Sequence, residues 1–324
     1  MNGERAAGIH LRQPFRLFVP SPTIPLQFPF TVPPFTVHGR VGPMRFGGPD
    51  QRSGNIEDRR GFRGGGPGMR LGLGGVVILV ILSIIFKRDF LSLASGGGGA
   101  APGADQAAPV NDPEEEPMVV FVGKVLDDAQ AQWAKILPQM GADYRDAKLV
   151  LFRDAVESAC GYAETASGPF YCPGDEKVFI DLGFYQELKD RFGAPGDAAQ
   201  AYVLAHEIGH HVQKLLGTEE KVRQMQQQRP DLQNDLSVRM ELQADCYAGV
   251  WAGTAQQRGI MEAGDFEEAL GAAASVGDDR LQRMSTGHVN PESFTHGSSA
   301  QRQQWFERGF KNSDPRACDT FGKQ

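Results

Sequence analysis

Apolar residues at Tyr202, Ala205, Ile208, Val212 and Leu215 recur at helical spacing, with no proline among them. The pattern predicts a helix that starts at Asp197 as N-cap and runs to Leu216, with Gly217 as its stop. A second helical face, Phe121, Val122, Val125, Ala129, Trp133 and Leu137, ends at Pro138. A third uninterrupted helical stretch covers 237–251, and a short one covers 184–192. Lys148–Phe152 and Lys177–Leu182 are apolar runs of strand length. Together they predict an α+β domain over 118–324, mainly helical with a small sheet.

The chain before that domain has a different pattern. Residues 1–43 are rich in proline and phenylalanine without a sustained period, and are expected to be disordered. Composition shifts at Met44, which suggests that translation starts there and that 1–43 is an extension from a misplaced upstream start. Residues 44–70 carry an excess of arginine among glycines. Residues 71–86 are uncharged and apolar, and the span 71–88 is expected to be a transmembrane helix. Sixteen residues at about 1.5 Å each fall somewhat short of the roughly 30 Å hydrocarbon core, a gap that snorkelling by Arg70, Lys87 and Arg88 can cover. A core helix or a signal peptide would be alternatives, but charged residues follow directly and no cleavage site is evident. Arginines before the span and Glu114–Glu116 beyond it place the N-terminus in the cytoplasm and the domain outside, in the periplasm or extracellular space. Residues 89–117, rich in Gly, Pro and Glu, read as a linker.

Composition adds limits. The chain has 40% hydrophobic and 23% charged residues, enough for a core, and a net charge of -7 that gives no reason to expect nucleic acid as a partner. Its four cysteines form no C-x-x-C, which argues against a cysteine-zinc knuckle. The Cys160 to Cys172 loop reads as a hairpin or flap closed by a local disulfide. By exclusion Cys246 pairs with Cys318, unless Cys246 is a small buried core residue. Disulfides would agree with an extracytoplasmic domain, whereas free thiols on Cys160 and Cys172 would favour the reverse topology.

Chemistry enters on the helix at 197–216. His206 and His210 are one turn apart on one face, with Glu207 beside them, which is the H-E-x-x-H pattern of zinc peptidases. Position 216 is Leu, so the metzincin pattern with a third histidine six residues on is excluded. On the 237–251 helix Glu241 and Asp245 share a face, and carboxylates on an otherwise apolar helix call for a cation. Glu241 is the expected third ligand and Asp245 the acceptor that orients a ligand histidine, with the reverse assignment left open. One Zn2+ per chain would then keep a fourth position for water, and Glu207 would be the general base. His296 is the candidate donor to the tetrahedral intermediate, with Arg302 as transition-state support or substrate contact. His211 and His288 have no assigned role. Asp278 and Asp279 are read as a helix cap or salt bridge before a calcium site. The strand at 177–182 is either an edge that pairs with extended substrate or an ordinary inner strand.

These features, with Arg52–Arg60, Gly168–Pro173, Gly277–Leu281, Phe294–Gly297 and Cys318–Phe321, resemble the neutral zinc metallopeptidase family of bacterial single-pass membrane proteins. The resemblance runs from about Met44 to Phe321. It implies a zincin-like fold, a membrane-anchored endopeptidase and peptide or protein substrates. The Glu241 and Asp245 pair is similar to the E-x-x-x-D of gluzincins, where the Glu binds zinc. Thr295-His296-Gly297 with Arg302 resembles the Thr-His-Pro…Arg element of membrane gluzincins, except that Gly297 replaces the Pro. The rival from another class is a non-catalytic membrane-tethered binding or assembly protein with a structural zinc.

Overall fold

Each helix forms where apolar residues recur at three- and four-residue spacing and so line up on one side. Helix α1 (Glu116–Ile136) buries Val119, Val122, Val125, Leu126, Ala129 and Trp133 along one stripe. The computed structural model describes residues 43–61 and 112–322. Strand β1 (Ile56–Asp58) precedes α1, and β2 (Lys148–Phe152), the hairpin β3 (Ala155–Ser158) and β4 (Gly161–Glu164), β5 (Phe170–Cys172) and β6 (Lys177–Asp181) follow it. Helices α2 (Gly183–Asp190), α3 (Asp197–Leu215), α4 (Thr218–Gln228), α5 (Gln233–Gln257), α6 (Asp265–Ser275), α7 (Asp278–Thr286) and α8 (Ser299–Asn312) complete the described chain. The architecture is α+β, mainly helical with a small sheet, as expected. Helix α5 extends well beyond the expected 237–251 in both directions.

Four strands make the main sheet in the order β1-β2-β6-β5. Strands β1, β2 and β6 run parallel, and β5 runs antiparallel to β6, with Phe170 opposite Phe179. Strand β6 is therefore an inner strand, and the edge beside the helices is β5. The hairpin of β3 and β4 carries Cys160 at its turn, and Cys160 is bonded to Cys172 at the end of β5. Cys246 on α5 is bonded to Cys318, which ties the C-terminal segment to that helix.

Helices α3, α5 and α8 pack as a layer whose axes approach closely where side chains vanish. A Cβ at Gly209 would lie 2.9 Å from the Ala244 carbonyl oxygen, so glycine lets α3 and α5 meet backbone to backbone. At Gly309 it would lie 1.9 Å from the Cys246 carbonyl, and α8 uses that gap to reach α5.

Two boundaries differ from expectation. Residues 44–61 are not a segment apart but part of the domain. Ile56, Glu57 and Asp58 pair in register with Leu149, Val150 and Leu151, and Met44 is buried in the core at 7% exposure. The acidic end of the expected linker also belongs to the fold, because Glu116 opens α1. Arg60 pairs with Asp58 and Glu115, and Arg52 with Asp58 and Glu116. Of the arginines and glutamates that suggested opposite sides of a membrane, Arg52 and Arg60 are thus partners of Glu116 and Glu115. Residues 44–61 and 112–322 are therefore one folded unit. The expected domain start at 118 is corrected accordingly.

The expected transmembrane helix at 71–88, most of the linker and the disordered segment up to Gly42 lie outside the described residues. Among the described residues no helix is long and apolar enough to cross a membrane.

Candidate active site

Helix α3 is buried nearly all round, and its cleft-facing side carries His206, Glu207 and His210. Helix α5 crosses it at the Gly209 contact and brings Glu241 opposite the two histidines. The Glu241 Oε2 lies 3.2 Å from His206 Nε2, and its Oε1 lies 3.5 Å from His210 Nε2. Donors on a tetrahedral zinc with bonds of about 2.0–2.1 Å stand roughly 3.3 Å apart, so these separations fit that ion. The donor set of two imidazoles and a carboxylate fits as well.

The remaining ring nitrogens are held in place. His206 Nδ1 donates to Asp245 Oδ1 at 2.9 Å, and His210 Nδ1 donates to Gln213 Oε1 at 2.8 Å. Both hydrogen bonds leave Nε2 as the free lone pair facing Glu241. Gln213 is fixed in turn by donating to the Met240 carbonyl at 2.7 Å. Asp245 is fully buried and accepts from Tyr202 OH at 2.5 Å and from Arg302 Nε and Nη2 at 2.8 and 2.9 Å. The buried carboxylate is thereby paired and hydrogen-bonded, which is the condition for keeping its charge.

Electrostatics follow from this crowding. Burial opposes the His206 imidazolium, but the carboxylates of Asp245 and Glu241 outweigh it and lift the pKa to about 10. His210 is raised too, with burial again overcome by Glu241. Burial acts against ionised Glu241, yet the two histidines hold its carboxyl well below the usual range. Three groups that trade protons so strongly are arranged around the place of a cation. Glu207 is raised by burial despite the neighbouring histidines, and among the described residues it has no hydrogen-bond partner. Its carboxylate therefore remains available for a proton from the cleft.

The cleft has a volume of about 740 Å³ and is lined by His206, Glu207, His210 and Glu241, by Phe170 and Tyr171 of β5, and by His296. The His296 side chain is 51% exposed. Its Nδ1 donates to Asp278 Oδ1 at 3.2 Å, and Asp278 Oδ2 accepts the backbone amides of Thr295, His296 and Gly297 at 2.6–3.0 Å. Asp278 and Asp279 lie in the first turn of α7, whose N-cap is Gly277, so neither is the cap; Asp278 makes the salt bridge of that reading with His296, and Asp279 accepts from Ser299. The Asp278 hydrogen bond raises the His296 pKa against burial.

The reading of Arg302 is corrected. Its guanidinium is buried and spent on Asp245, with Nη2 also donating to Tyr202 OH at 3.1 Å. It supports Asp245 and does not present a free charge to substrate. His211 is a packing residue: its Nδ1 accepts from Tyr171 OH and its Nε2 donates to the Arg145 carbonyl. The sequence reading missed Tyr202, Gln213 and Asp278 as supports. Tyr202 and Gln213 carried a signal, since each lies one turn from a ligand histidine on the same helix. Asp278 carried none, because only the fold brings 278 beside 295–297.

Comparison with known proteins agrees with the geometry. The chain is 48% identical over 282 residues to a protein of Escherichia coli (strain K12) called "Uncharacterized protein YpfJ", covering 84% of this chain and 97% of that one. It is 44% identical over 214 residues to "Uncharacterized protein Rv2575" of Mycobacterium tuberculosis, covering 63% of this chain and 69% of that one. No solved structure matches. A family model described as "Putative neutral zinc metallopeptidase" matches residues 44–321, and the chain belongs to that family.

Proposed function

We propose that the protein is a zinc-dependent endopeptidase whose metal is held by His206, His210 and Glu241. The observation that carries this reading is three converging donors with an unpartnered carboxylate, Glu207, at the floor of an open cleft. Zinc in such a site supplies a Lewis acid that polarises a carbonyl and lowers the pKa of water. Glu207 then takes the proton from the attacking water and passes it to the leaving amine. His296, whose charged form the Asp278 hydrogen bond favours, donates to the oxygen that gains charge in the transition state. Asp245 and Gln213 keep the ligand rings in the one orientation that offers Nε2.

An extended peptide has an edge to dock on. Strand β5 flanks the cleft and its outer side is not covered by another strand of the main sheet. Main-chain pairing there would lay a substrate carbonyl between Glu207 and His296. The two disulfides support an oxidising compartment for the domain, with residues 44–61 on that same side.

The structural-zinc alternative fits less well. Structural sites close with four protein ligands, whereas three meet here among the described residues and all four cysteines are in disulfides. Zinc content and peptide-library cleavage, wild type beside Glu207→Gln, test the reading. We expect one zinc per chain in both and cleavage reduced about 10²–10⁴-fold in the variant. Zinc in both with equal cleavage would remove Glu207 from the mechanism, and zinc without cleavage in either would favour the structural role.

A further inference from the structure

On the far end of α3 from the metal ligands, three carboxylates gather without a cation. Asp197, Asp265 and Glu268 each bring an oxygen within 4.8 Å of the other two. Asp265 is 0% exposed, and among the described residues its Oδ1 and the buried Oε2 of Glu268 have no hydrogen-bond partner. Among the described residues none of the three forms an ion pair with Lys, Arg or His. Burial and mutual repulsion raise the pKa of Asp265 and of Glu268. Buried acids left in this state call for a positive charge.

The group already at the site is the backbone nitrogen of Met44, which donates to Asp197 Oδ2 at 2.5 Å. Everything around it fixes that nitrogen in place. The Met44 side chain is in the core, the Arg45 amide donates to the Ile260 carbonyl at 2.7 Å, and the Arg45 guanidinium pairs with Glu262. Glu262 in turn donates its amide to Asp265 Oδ2 at 2.7 Å. A peptide nitrogen offers this cluster one hydrogen and no charge. An α-ammonium offers three hydrogens and a full positive charge.

We propose that the mature chain begins at Met44 and that its α-ammonium is the cation held by Asp197, Asp265 and Glu268. The family match also begins at residue 44. The bulky Arg45 in second place leaves an initiator methionine uncleaved, so the amine is that of Met44. The site is a receptor for the chain's own terminus, and it clamps the strand-bearing segment 44–61 to the N-terminus of the helix that carries the metal ligands.

The test compares chains 1–324 and 44–324, each as wild type and Asp265→Asn, and identifies the N-terminal peptide of the natural protein by mass spectrometry. We expect a natural terminus at Met44 with a free amine. We expect 44–324 to have the higher Tm and Asp265→Asn to erase most of that difference. Where Asp265→Asn fails to fold, acylation of the α-amine in folded 44–324 serves instead. Its rate at neutral pH should be at least about tenfold slower than in the unfolded chain, since a one-unit rise in pKa leaves tenfold less free amine. A natural terminus upstream of Met44, a blocked amine, equal Tm loss in both chains, or an amine acylated as fast as in the unfolded chain would each overturn the proposal. A rise in Tm of 44–324 with calcium chloride would assign the cluster to a metal ion instead.

Discussion

Asp278 favours the charged form of His296. A histidine half open to a cleft would ordinarily titrate near 6.5, but the hydrogen bond to Asp278 Oδ1 outweighs burial and raises it. Because the folded pKa lies above the unfolded one, the interaction stabilises the protein fully below the unfolded value. That stabilisation fades as pH rises through the folded value. Activity that needs the imidazolium should follow the same limb. We expect Asp278→Asn to move the alkaline limb of kcat/KM toward lower pH while zinc content stays at the wild-type level. An unmoved limb would show that His296 is not the group titrating there. The candidate ligands His206 and His210 and the candidate base Glu207 were legible at this scale, since helical spacing alone sets them. The residues that support the site were not: Arg302 reaches Asp245 and Asp278 reaches His296 from distant parts of the chain, and Arg302, expected as transition-state support or substrate contact, is committed to Asp245.

Two helices hold the donors, and their separation is set by a glycine. Any side chain at Gly209 meets the Ala244 backbone, whose oxygen and Cα would be 2.9 and 3.0 Å from the new Cβ. Neither atom can rotate away, so α5 must retreat and carry Glu241 with it. We expect Gly209→Val to lower stability by about 1–3 kcal/mol and to weaken zinc retention more than that loss of stability explains. Chelator competition on the folded variant measures the second effect, and unchanged zinc affinity would mean that the contact is only packing. Helices α1, α2, α3 and α5 and strands β2 and β6 were legible from periodicity, with ends shifted by some residues, whereas α4, α6, α7, α8 and β1 were not among the expected elements. Strand β6 was undecided between edge and interior because an apolar run of five reads the same in both places. Its neighbours settle it: β2 on one side and β5 on the other.

The whole molecule is built around a contact between segments that lie far apart in sequence. Strand β1 covers the free side of β2, and Arg52 and Arg60 bind the start of α1. A chain started at 118 lacks these and exposes the edge of β2 with Arg153 no longer paired to Glu115. We expect such a chain to have a lower Tm and to self-associate, while a chain that keeps 44–61 stays monodisperse; size-exclusion chromatography separates the outcomes. Single cysteines at Ser53 and at Lys323, in a background where the native cysteines are bonded, should label from the same side in membrane vesicles. Labelling from opposite sides would show that β1 is not paired with β2 in the cell.

By itself the sequence determined the longer apolar-faced elements and the H-E-x-x-H pattern, because helical periodicity and the four-residue spacing of His206 and His210 are local. It also marked Met44 as a change of composition and Cys160 with Cys172 as a pair, whereas the bond between Cys246 and Cys318 was left open and is given by the structure. Only the tertiary structure decided that Glu241 and Asp245 meet different atoms of the histidines, that β5 is the edge at the cleft, and that the basic segment belongs to the domain. These are relations between residues tens to more than a hundred positions apart. Charge along the chain carries no sign of its partner, so Arg52, Arg60 and the glutamates at 115 and 116 read as two sides of a membrane until packing placed them together.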